Sequence, residues 1–371
     1  MREPYQSWPE ATWHIMQYTI CANHMFMPQV LYQMAGRSSW ALPILAIPPA
    51  LVGAWAVYSL HSRFPEARLG QYLPKIVGRP IAIALSLLFS AFWLGGSVIN
   101  VAVFTHYVST TVLTDTPLLV LAAANVLIIV MVALSGLKTL VRLVDALLFV
   151  IAPFLLFSWI WVLASGHMDL SQLRPLSLSD IWAHPLNLIA GLVSMYHGYQ
   201  AIFITGPVLN PPGRSALKAG VLGTLLAAPA FLSFVSYPLA VFGWPFASYL
   251  TYPATSMLEI TAPITTNIPI RRFDFALTAL FRFIMIIAAM SYFFSAAQTL
   301  SDTFSPRARR IHPILIISLG GVVLTSMLVV SSIAVVLIAV NIWIPIGALV
   351  SVAIMALALI AAARRVGGGA N

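Results

Sequence analysis

The sequence Tyr196-His197-Gly198-Tyr199-Gln200 breaks an apolar segment that otherwise runs from Leu186 to Val208. A second break, residues 21–24 (Cys-Ala-Asn-His), interrupts the segment Thr12–Tyr32. Inside a membrane, polar groups are tolerated only where they are buried in protein or face a cavity. If the chain spans a membrane, the two breaks therefore indicate where it would hold a polar ligand.

The composition shows that lipid is the solvent of this chain. Of its 371 residues, 60% are hydrophobic and only 8% are charged, whereas a soluble domain carries about 25% charged residues. Such a chain cannot cover itself in water, which excludes a cytosolic enzyme, a secreted domain and a nucleic-acid-binding protein. The net charge of +9 is interpreted as loop charge that orients the chain in the membrane.

Ten membrane spans are predicted, because a span needs about 20 predominantly apolar residues. Span 1, Thr12–Tyr32, is weak because it contains polar side chains such as His14 and Gln17. Spans 2 to 10 are strong, and they are Leu42–Leu60, Ile81–Val103, Leu118–Leu134, Ala146–Ala164, Leu186–Val208, Ala216–Val241, Phe275–Leu300, Pro313–Leu337 and Ile344–Ala363. We expect one transmembrane domain, residues 1–371, with repeats at 12–164 and 186–363.

The distribution of Lys and Arg predicts the orientation of the spans. One face, formed by alternate loops and both termini, collects 14 basic residues, and the other face has only Arg37, Arg174, Arg271 and Arg272. Cytoplasmic loops carry the excess of basic residues. Both termini are therefore predicted to be cytoplasmic.

The number of spans predicts an inverted repeat. With five spans in each half, the second half must be inverted relative to the first, as in many secondary transporters, where broken helices build the binding site. The breaks at 21–24 and 196–200 fall in spans 1 and 6, which are corresponding positions. The alternative is that these polar residues bond a neighbouring helix, which contributes about 0.6–2 kcal/mol. The predicted fold is all-α, with helices 1 and 6 broken.

Two loop motifs carry a family resemblance. Residues 34–40, Met-Ala-Gly-Arg-Ser-Ser-Trp, follow span 1; Arg63-Phe64-Pro65 and residues 69–78, Leu-Gly-Gln-Tyr-Leu-Pro-Lys-Ile-Val-Gly, follow span 2. Together with Gly198-Tyr199-Gln200 and Arg272-Phe273-Asp274, they resemble the B subunit of GerA-type spore germination receptors over residues 8–363. That family belongs to the amino acid–polyamine–organocation superfamily, so the resemblance implies the fold of amino acid transporters.

The resemblance implies a nutrient sensor in the inner membrane of a bacterial endospore. In the family, the B subunit works with an A subunit and a lipoprotein C subunit, and an amino acid or similar germinant triggers ion release. Two positions depart from the family: Ala22-Asn23-His24 stands where glycines are usual, and Gln200 replaces a usual Glu. A neutral amide donates as well as accepts, which is consistent with a different ligand or with loss of a proton-sensitive group.

Candidate ligand-binding residues come from the breaks and from the helices that flank them in this fold. They are Ala22, Asn23, His24, Asn100, Tyr107, Tyr196, His197, Gly198, Tyr199, Gln200, Arg282, Ser291 and Ser295. Asn100 and Tyr107 share one face of span 3. Ser291 and Ser295 are one turn apart in span 8, and helix packing is the alternative for both pairs. Arg282 lies near the midplane, where a charge is by default functional; a structural or water-facing role is its alternative.

The sequence thus predicts a ligand-binding subunit of a spore germination receptor in the lipid bilayer. An ion-coupled secondary transporter of amino acids or polyamines is the first alternative, and a scaffold subunit that has lost ligand binding is the second. The chain has no nucleotide-binding, metal-ligand or nucleophile motif, so we expect no enzymatic activity, catalytic residue, cofactor or metal. The expected partners are a small-molecule ligand and the A and C subunits, and no nucleic acid.

Overall fold

The computed structural model describes residues 6–23, 27–111, 113–210, 214–261, 273–306, 308, 310–330 and 332–364. Within these ranges each predicted span is a helix or a pair of helices. Their bounds, from span 1 to span 10, are Trp8–Asn23 with Met27–Ala35, Ile47–Arg63, Arg79–Thr111, Leu118–Ser135, Leu137–Ala164, Pro185–Ser194 with Ile202–Thr205, Arg214–Phe242, Phe273–Phe304, Pro313–Val329 and Ile333–Ala363.

Shorter elements connect the spans or lie within them. The 3-10 helices are Gly36–Ala41, Leu170–Leu173, His197–Ala201 and Gly206–Val208, and the short α-helices are Leu42–Leu45, Leu69–Val77, Leu178–Ile181, Trp244–Ala247 and Pro253–Thr261. Two-residue strands, Gln6–Ser7 and Leu209–Asn210, pair in parallel, with Gln6 opposite Leu209. This pairing joins the start of span 1 to the end of span 6.

The length and composition of the helices fit a membrane protein. In the described ranges, six helical runs are long and apolar enough to cross a bilayer, and the bent pair in span 6 brings the number to seven. Span 9 is an apolar helix of 17 residues, which is at the short end of the range of about 17–25 residues found for spans. The chain is an integral membrane protein built from α-helices.

The boundary between spans 9 and 10 differs from the prediction. Span 9 was expected to cover Pro313–Leu337, but its helix ends at Val329, and span 10 begins at Ile333, well before its expected start. The physical reason is a helix cap, because Ser332 Oγ accepts a hydrogen bond from the Val335 N–H at 3.4 Å. Such a cap satisfies a free N–H group and starts a new helix. In the sequence only the short polar step Ser331-Ser332 marks this boundary between two apolar stretches.

The packing follows the predicted five-plus-five repeat, in which each span corresponds to the one five places later. Spans 3 and 8 pack together at the centre; span 3 also packs on span 10, and span 8 on span 5. Span 1 packs on spans 5 and 7, and span 6 correspondingly packs on spans 10 and 2. Spans 4 and 9 pack on each other. Exchanging the two halves leaves these contacts unchanged, as an inverted repeat requires.

Arginine side chains tie together one end of the bundle, which we call the basic end. It holds the helix Leu69–Val77, the start of span 1 and the end of span 10. Arg63 donates to the Ala361 carbonyl at 2.8 Å, and Arg364 donates to the Ile76 carbonyl at 2.9 Å. Both hydrogen bonds fasten the end of span 10 to the segment that follows span 2.

Connecting helices cover the opposite end of the bundle. The Trp40 indole N–H donates to the Leu173 carbonyl at 3.1 Å, and the Trp244 indole N–H donates to the Tyr32 carbonyl at 3.2 Å. The first bond attaches the segment after span 5 to the 3-10 helix Gly36–Ala41 that follows span 1, and the second attaches the segment after span 7 to the second helix of span 1. The segment after span 7 contains the short helices Trp244–Ala247 and Pro253–Thr261, and residues 262–272 lie outside the described residues.

Adjacent glycines in span 9 provide a test of the packing of spans 4 and 9. A Cβ atom on Gly320 would lie 2.5 Å from Val130 Cγ2, and the Val side chain is stiff in a helix. We expect Gly320→Ala to lower the free energy of unfolding by about 1–3 kcal/mol through overpacking. Thermal unfolding of the purified protein in detergent measures the change.

Gly321→Ala is the matched control, because a Cβ atom there would meet no described atom within 4 Å. It should leave the Tm unchanged or raise it slightly, since alanine favours helix more than glycine does. Equal Tm values for the two variants would show that spans 4 and 9 are not packed this closely.

Candidate functional site

Span 6 is interrupted at the predicted position. Its first helix ends at Ser194, and the 3-10 helix His197–Ala201 follows. Tyr196, between them, has φ −110° and ψ 53°, which lies outside helical geometry. The two halves are bent by 48°, and every residue from 195 to 201 is buried. The break therefore lies inside the protein, where its backbone polar groups are shielded from lipid.

Gly198 is the point at which broken span 6 touches span 1. A Cβ atom at this position would overlap with Thr19 Oγ1 and with the Ile15 carbonyl oxygen, and it would lie 2.8 Å from the Thr19 backbone nitrogen. Two of these atoms belong to the backbone and cannot rotate away. The backbones of spans 1 and 6 are therefore in direct contact, which only glycine permits.

His197 lies in a cluster of aromatic rings beside the break. Its Nδ1 is 2.6 Å from the Ser194 carbonyl oxygen, and its Nε2 bonds the Tyr292 hydroxyl. Because a carbonyl only accepts, Nδ1 carries the proton in neutral His197, and Nε2 accepts from Tyr292. The rings of Phe92 and Trp343 approach the imidazole edge-on, with centroids 5.5 and 5.4 Å away. The cluster holds the imidazole in one orientation.

Gln200 brings an incompletely bonded amide to the break. Its Oε1 accepts a hydrogen bond from the Trp93 indole N–H at 3.0 Å. Its Nε2 is buried and has no hydrogen-bond partner among the described residues. An unsatisfied buried donor costs about 1–3 kcal/mol, so the free N–H groups of Gln200 favour a ligand or water that accepts.

A small polar cavity lies next to the break, between spans 1, 5, 6 and 8. It leaves about 10 Å³ for the centre of a water molecule, which is close to the roughly 10–15 Å³ that one water needs. Its polar lining residues are His14, Tyr18, Thr205, Ser291 and Ser295. In this conformation, the cavity accommodates about one water and no larger ligand.

A larger cavity of about 440 Å³ opens at the basic end, and we call it the basic vestibule. Arg68, Lys138 and Arg310 contribute charged groups to its wall. Leu137 and Phe294 line both the basic vestibule and the small polar cavity. These two apolar side chains therefore separate the break from the water-accessible basic end.

A buried ion pair borders the basic vestibule. Arg68 Nη1 lies 3.5 Å from Asp302 Oδ1, and the Gln298 amide donates to the same oxygen at 2.9 Å. Close by, a Cβ atom on Gly70 would lie 2.8 Å from the Thr299 carbonyl oxygen. The loop motif at residues 69–78 is thus packed directly against the end of span 8.

The structure brings several of the predicted site residues together. Tyr196, His197, Gly198, Tyr199 and Gln200 are consecutive buried residues of the break. Ser291 and Ser295 line the small polar cavity, as does Ala201 from the end of the break. The Ser291 hydroxyl has no partner among the described residues, whereas Ser295 donates to the Ser291 carbonyl at 2.9 Å.

Other predicted residues lie apart from this group. Asn100, one turn beyond Gly96, donates to the Gly96 carbonyl at 2.8 Å, and its Oδ1 has no partner in the described part of the chain. Tyr107 is buried, but it follows Trp93 by 14 residues, or about 21 Å along the helix. His24 lies outside the described residues, as do the side chains of Ala22, Asn23 and Arg282.

The sequence analysis missed three residues that contact the break or the side chains bonded to it. Trp93 bonds Gln200, Tyr292 bonds His197, and the Tyr18 ring packs edge-on against Tyr292 with centroids 4.8 Å apart. All three occur in apolar helices, where an aromatic residue is unremarkable in composition. For Tyr292 the available signal was its place between two candidates, Ser291 and Ser295.

Comparison with known proteins identifies the family of the chain. Residues 9–339 match the family of spore germination proteins. Spore germination protein YndE of Bacillus subtilis (strain 168) is 24% identical over 216 residues, which are 58% of this chain and 58% of YndE. The chain thus spans a little over half the length of this curated relative.

A solved structure shows the same fold. The crystal structure of MhsT in complex with L-phenylalanine is similar with a TM-score of 0.63 and 15% sequence identity, covering 95% of this chain and 89% of MhsT. The likeness extends over both halves of the chain. It confirms the predicted transporter-like fold.

The bond between Trp93 and Gln200 generates a stability prediction. We expect Trp93→Phe to lower the free energy of unfolding by about 1–3 kcal/mol, because Gln200 Oε1 is left buried without its donor. Trp55→Phe is the control, since Trp55 is half exposed on span 2. Thermal unfolding in detergent compares them; equal losses of Tm would contradict the bond.

The contact at Gly198 generates a second prediction. Gly198→Ala should lower the Tm strongly or prevent folding, because the new methyl group overlaps with backbone atoms of span 1. Gly191→Ala, in the same span, should be tolerated, since its Cβ atom would lie 3.5 Å from Met34 Sδ, an ordinary contact. Matching yields and Tm values for the two variants would show that the backbones of spans 1 and 6 do not touch.

Proposed function

The chain belongs to the spore germination protein family, and we propose on that premise that it is the nutrient-sensing membrane subunit of a spore germination receptor. Its ligand is a small amino acid or related nutrient. The ligand binds between the broken helices of spans 1 and 6. The family membership, the transporter-like fold and the presence of an amino acid in the similar MhsT structure support this proposal.

One observation supports this location for the ligand. At the break, Gln200 presents buried amide N–H groups that have no partner among the described residues. The carboxylate of an amino acid accepts such hydrogen bonds. The neighbouring rings of His197 and Tyr292 are in contact, and they would have to part to admit a molecule larger than water. Ligand binding is therefore coupled to a rearrangement of spans 6 and 8.

That rearrangement is the signal. A ligand shifts a conformational equilibrium only if it binds one state better than the other. Because Gly198 holds the backbones of spans 1 and 6 together, movement at the break of span 6 also moves span 1. We propose that an A subunit and a lipoprotein C subunit read this shift in the spore inner membrane, with both termini of the chain in the cytoplasm.

Ion-coupled transport of an amino acid or polyamine is the second candidate. The arrangement of the cavities favours it: the basic vestibule approaches the break from one end and is separated from the small polar cavity by Leu137 and Phe294. A transport route requires access of this kind. A sensor requires the break but no passage.

Reconstitution of the full chain separates the two candidates. Binding of radiolabelled amino acids is measured on the protein in nanodiscs, and uptake is measured in proteoliposomes with an imposed proton or sodium gradient. Binding without uptake is the expected result. Concentrative uptake would show that the chain is a transporter and not a sensor. If the folded protein shows neither binding nor uptake, a scaffold role remains.

Gln200→Leu tests the place of the ligand. We expect it to weaken amino acid binding about tenfold or more, because the ligand loses a buried hydrogen-bond donor worth about 1–3 kcal/mol. Gln33→Leu, an exposed amide on the second helix of span 1, is the control and should bind like the unmodified protein. Unchanged affinity in folded Gln200→Leu would remove the break of span 6 from the site.

A further inference from the structure

Two buried polar atoms without partners face the small polar cavity beside the break. His14 is 3% exposed and Ser291 is 2% exposed. His14 Nδ1 and Ser291 Oγ have no hydrogen-bond partner within the described part of the chain, and both residues line the cavity. Buried polar groups are normally bonded to protein or to ordered water. The cavity is thus suited to a polar ligand or a water molecule between spans 1 and 8.

A single water molecule fits this cavity. The cavity has room for about one water, and buried waters typically bond two to four polar groups. Besides His14 and Ser291, the hydroxyl groups of Thr205 and Ser295 are in its wall. A water here would bring an exchangeable proton next to the imidazole of His14.

A path leads from this cavity toward bulk water. The basic vestibule and the small polar cavity share two wall residues, Leu137 and Phe294. No other described residue lines both. Displacement of these two apolar side chains would open the boundary between the cavities and bring water of the basic end toward His14.

We propose that His14 is a proton-binding site that exchanges with water of the basic vestibule, and that its protonation is coupled to ligand binding at the break. Histidine is the side chain whose charge changes in the physiological pH range. The proton comes from hydronium in the vestibule water: one of its O–H bonds breaks as the N–H bond forms at His14 Nδ1, and a neutral water molecule is left. The proton site stands on its own geometry, whereas its coupling to a ligand rests on the proposed function.

The path is closed while Leu137 and Phe294 separate the two cavities and open when they part, and the two forms differ in how well they stabilise a positive charge on His14. While Leu137 and Phe294 separate the cavities, an imidazolium would be enclosed with about one water, which disfavours the charged form. When the two side chains part, water solvates the charge. Acid therefore favours the open form. A ligand that binds preferentially to the closed form should bind more weakly as the pH falls.

Other ionisable groups lie near span 1, and a pH effect that comes from His14 must be distinguished from titration of these groups. Glu10 lies one turn before His14, and Glu10 and Asp145 of span 5 are close enough to influence each other electrostatically. The other described ionisable side chains on span 1 and on the elements packed against its two helices are Glu10, Tyr18, Tyr32, Arg37, Lys138, Arg142, Asp145, Asp180, Tyr196, His197, Tyr199, Lys218, Tyr237, Glu259, Tyr292 and Asp302.

The test observes His14 directly in the full chain. Protein with isotope-labelled histidine is placed in nanodiscs, and the imidazole signals are followed by NMR between about pH 5 and 8. The His14 signal is the one missing from His14→Gln, or from His14→Asn if the first variant does not fold. We expect this signal to change reversibly with pH, and more completely in Phe294→Ala, where the barrier to the basic vestibule is thinner.

A binding measurement tests the coupling. The affinity for the amino acid that binds best should change about fivefold or more across this pH range, the lower end of typical coupling between sites. The change should vanish in His14→Gln and persist in His106→Gln, whose imidazole bonds the Val330 carbonyl at the far end of span 3.

The outcomes separate this inference from the proposed function. A His14 signal that stays neutral throughout, in both the unmodified chain and Phe294→Ala, overturns the proton site even if ligand binds. A titrating His14 together with a pH dependence that survives in His14→Gln overturns the coupling. If no amino acid binds, the proposed function fails, while the NMR titration still decides whether His14 takes up a proton.

Discussion

The close contact between two backbones, that of Gly198 in span 6 and that of span 1, is the constraint on which the rest of the structure depends. Membrane helices gain little from hydrophobic association, so close packing must hold them together. Gly198 lets the interrupted segment lie against Thr19 and Ile15 without an intervening side chain. Spans 1 and 6 thereby become one unit, and the break of span 6 cannot move without the helix Trp8–Asn23 of span 1.

That unit explains why so many polar groups are tolerated in an apolar protein. His197 is bonded on both ring nitrogens, and Gln200 is bonded through one of its two amide atoms. The atoms left over, on Gln200, His14 and Ser291, face the interior beside the break. In a dry interior, such atoms destabilise the protein unless something binds them.

Hydrophobicity and charge predicted much of this architecture, because a span must be apolar over its length. They predicted the helices and the break in span 6, and the structure agrees with them. The predicted break of span 1 extends to His24, which lies outside the described residues. The predicted end of span 9 was wrong because one hydrogen bond to Ser332 starts a new helix inside a mostly apolar stretch. The predicted site residues stay a proposal: Tyr196 to Gln200 and the two serines converge, whereas Tyr107 lies far along span 3.

The sequence by itself determined that the chain lives in lipid and that span 6 is interrupted, and it predicted that the two halves are inverted repeats. Those properties follow from the composition of the chain and from the spacing of its apolar and polar segments, which can be read from the local sequence. Tertiary structure alone decided that Trp93, Tyr18 and Tyr292 surround the break, that His14 shares a cavity with Ser291, and that Leu137 and Phe294 separate this cavity from the basic vestibule. These residues come from different helices, and only packing determines which of their side chains meet.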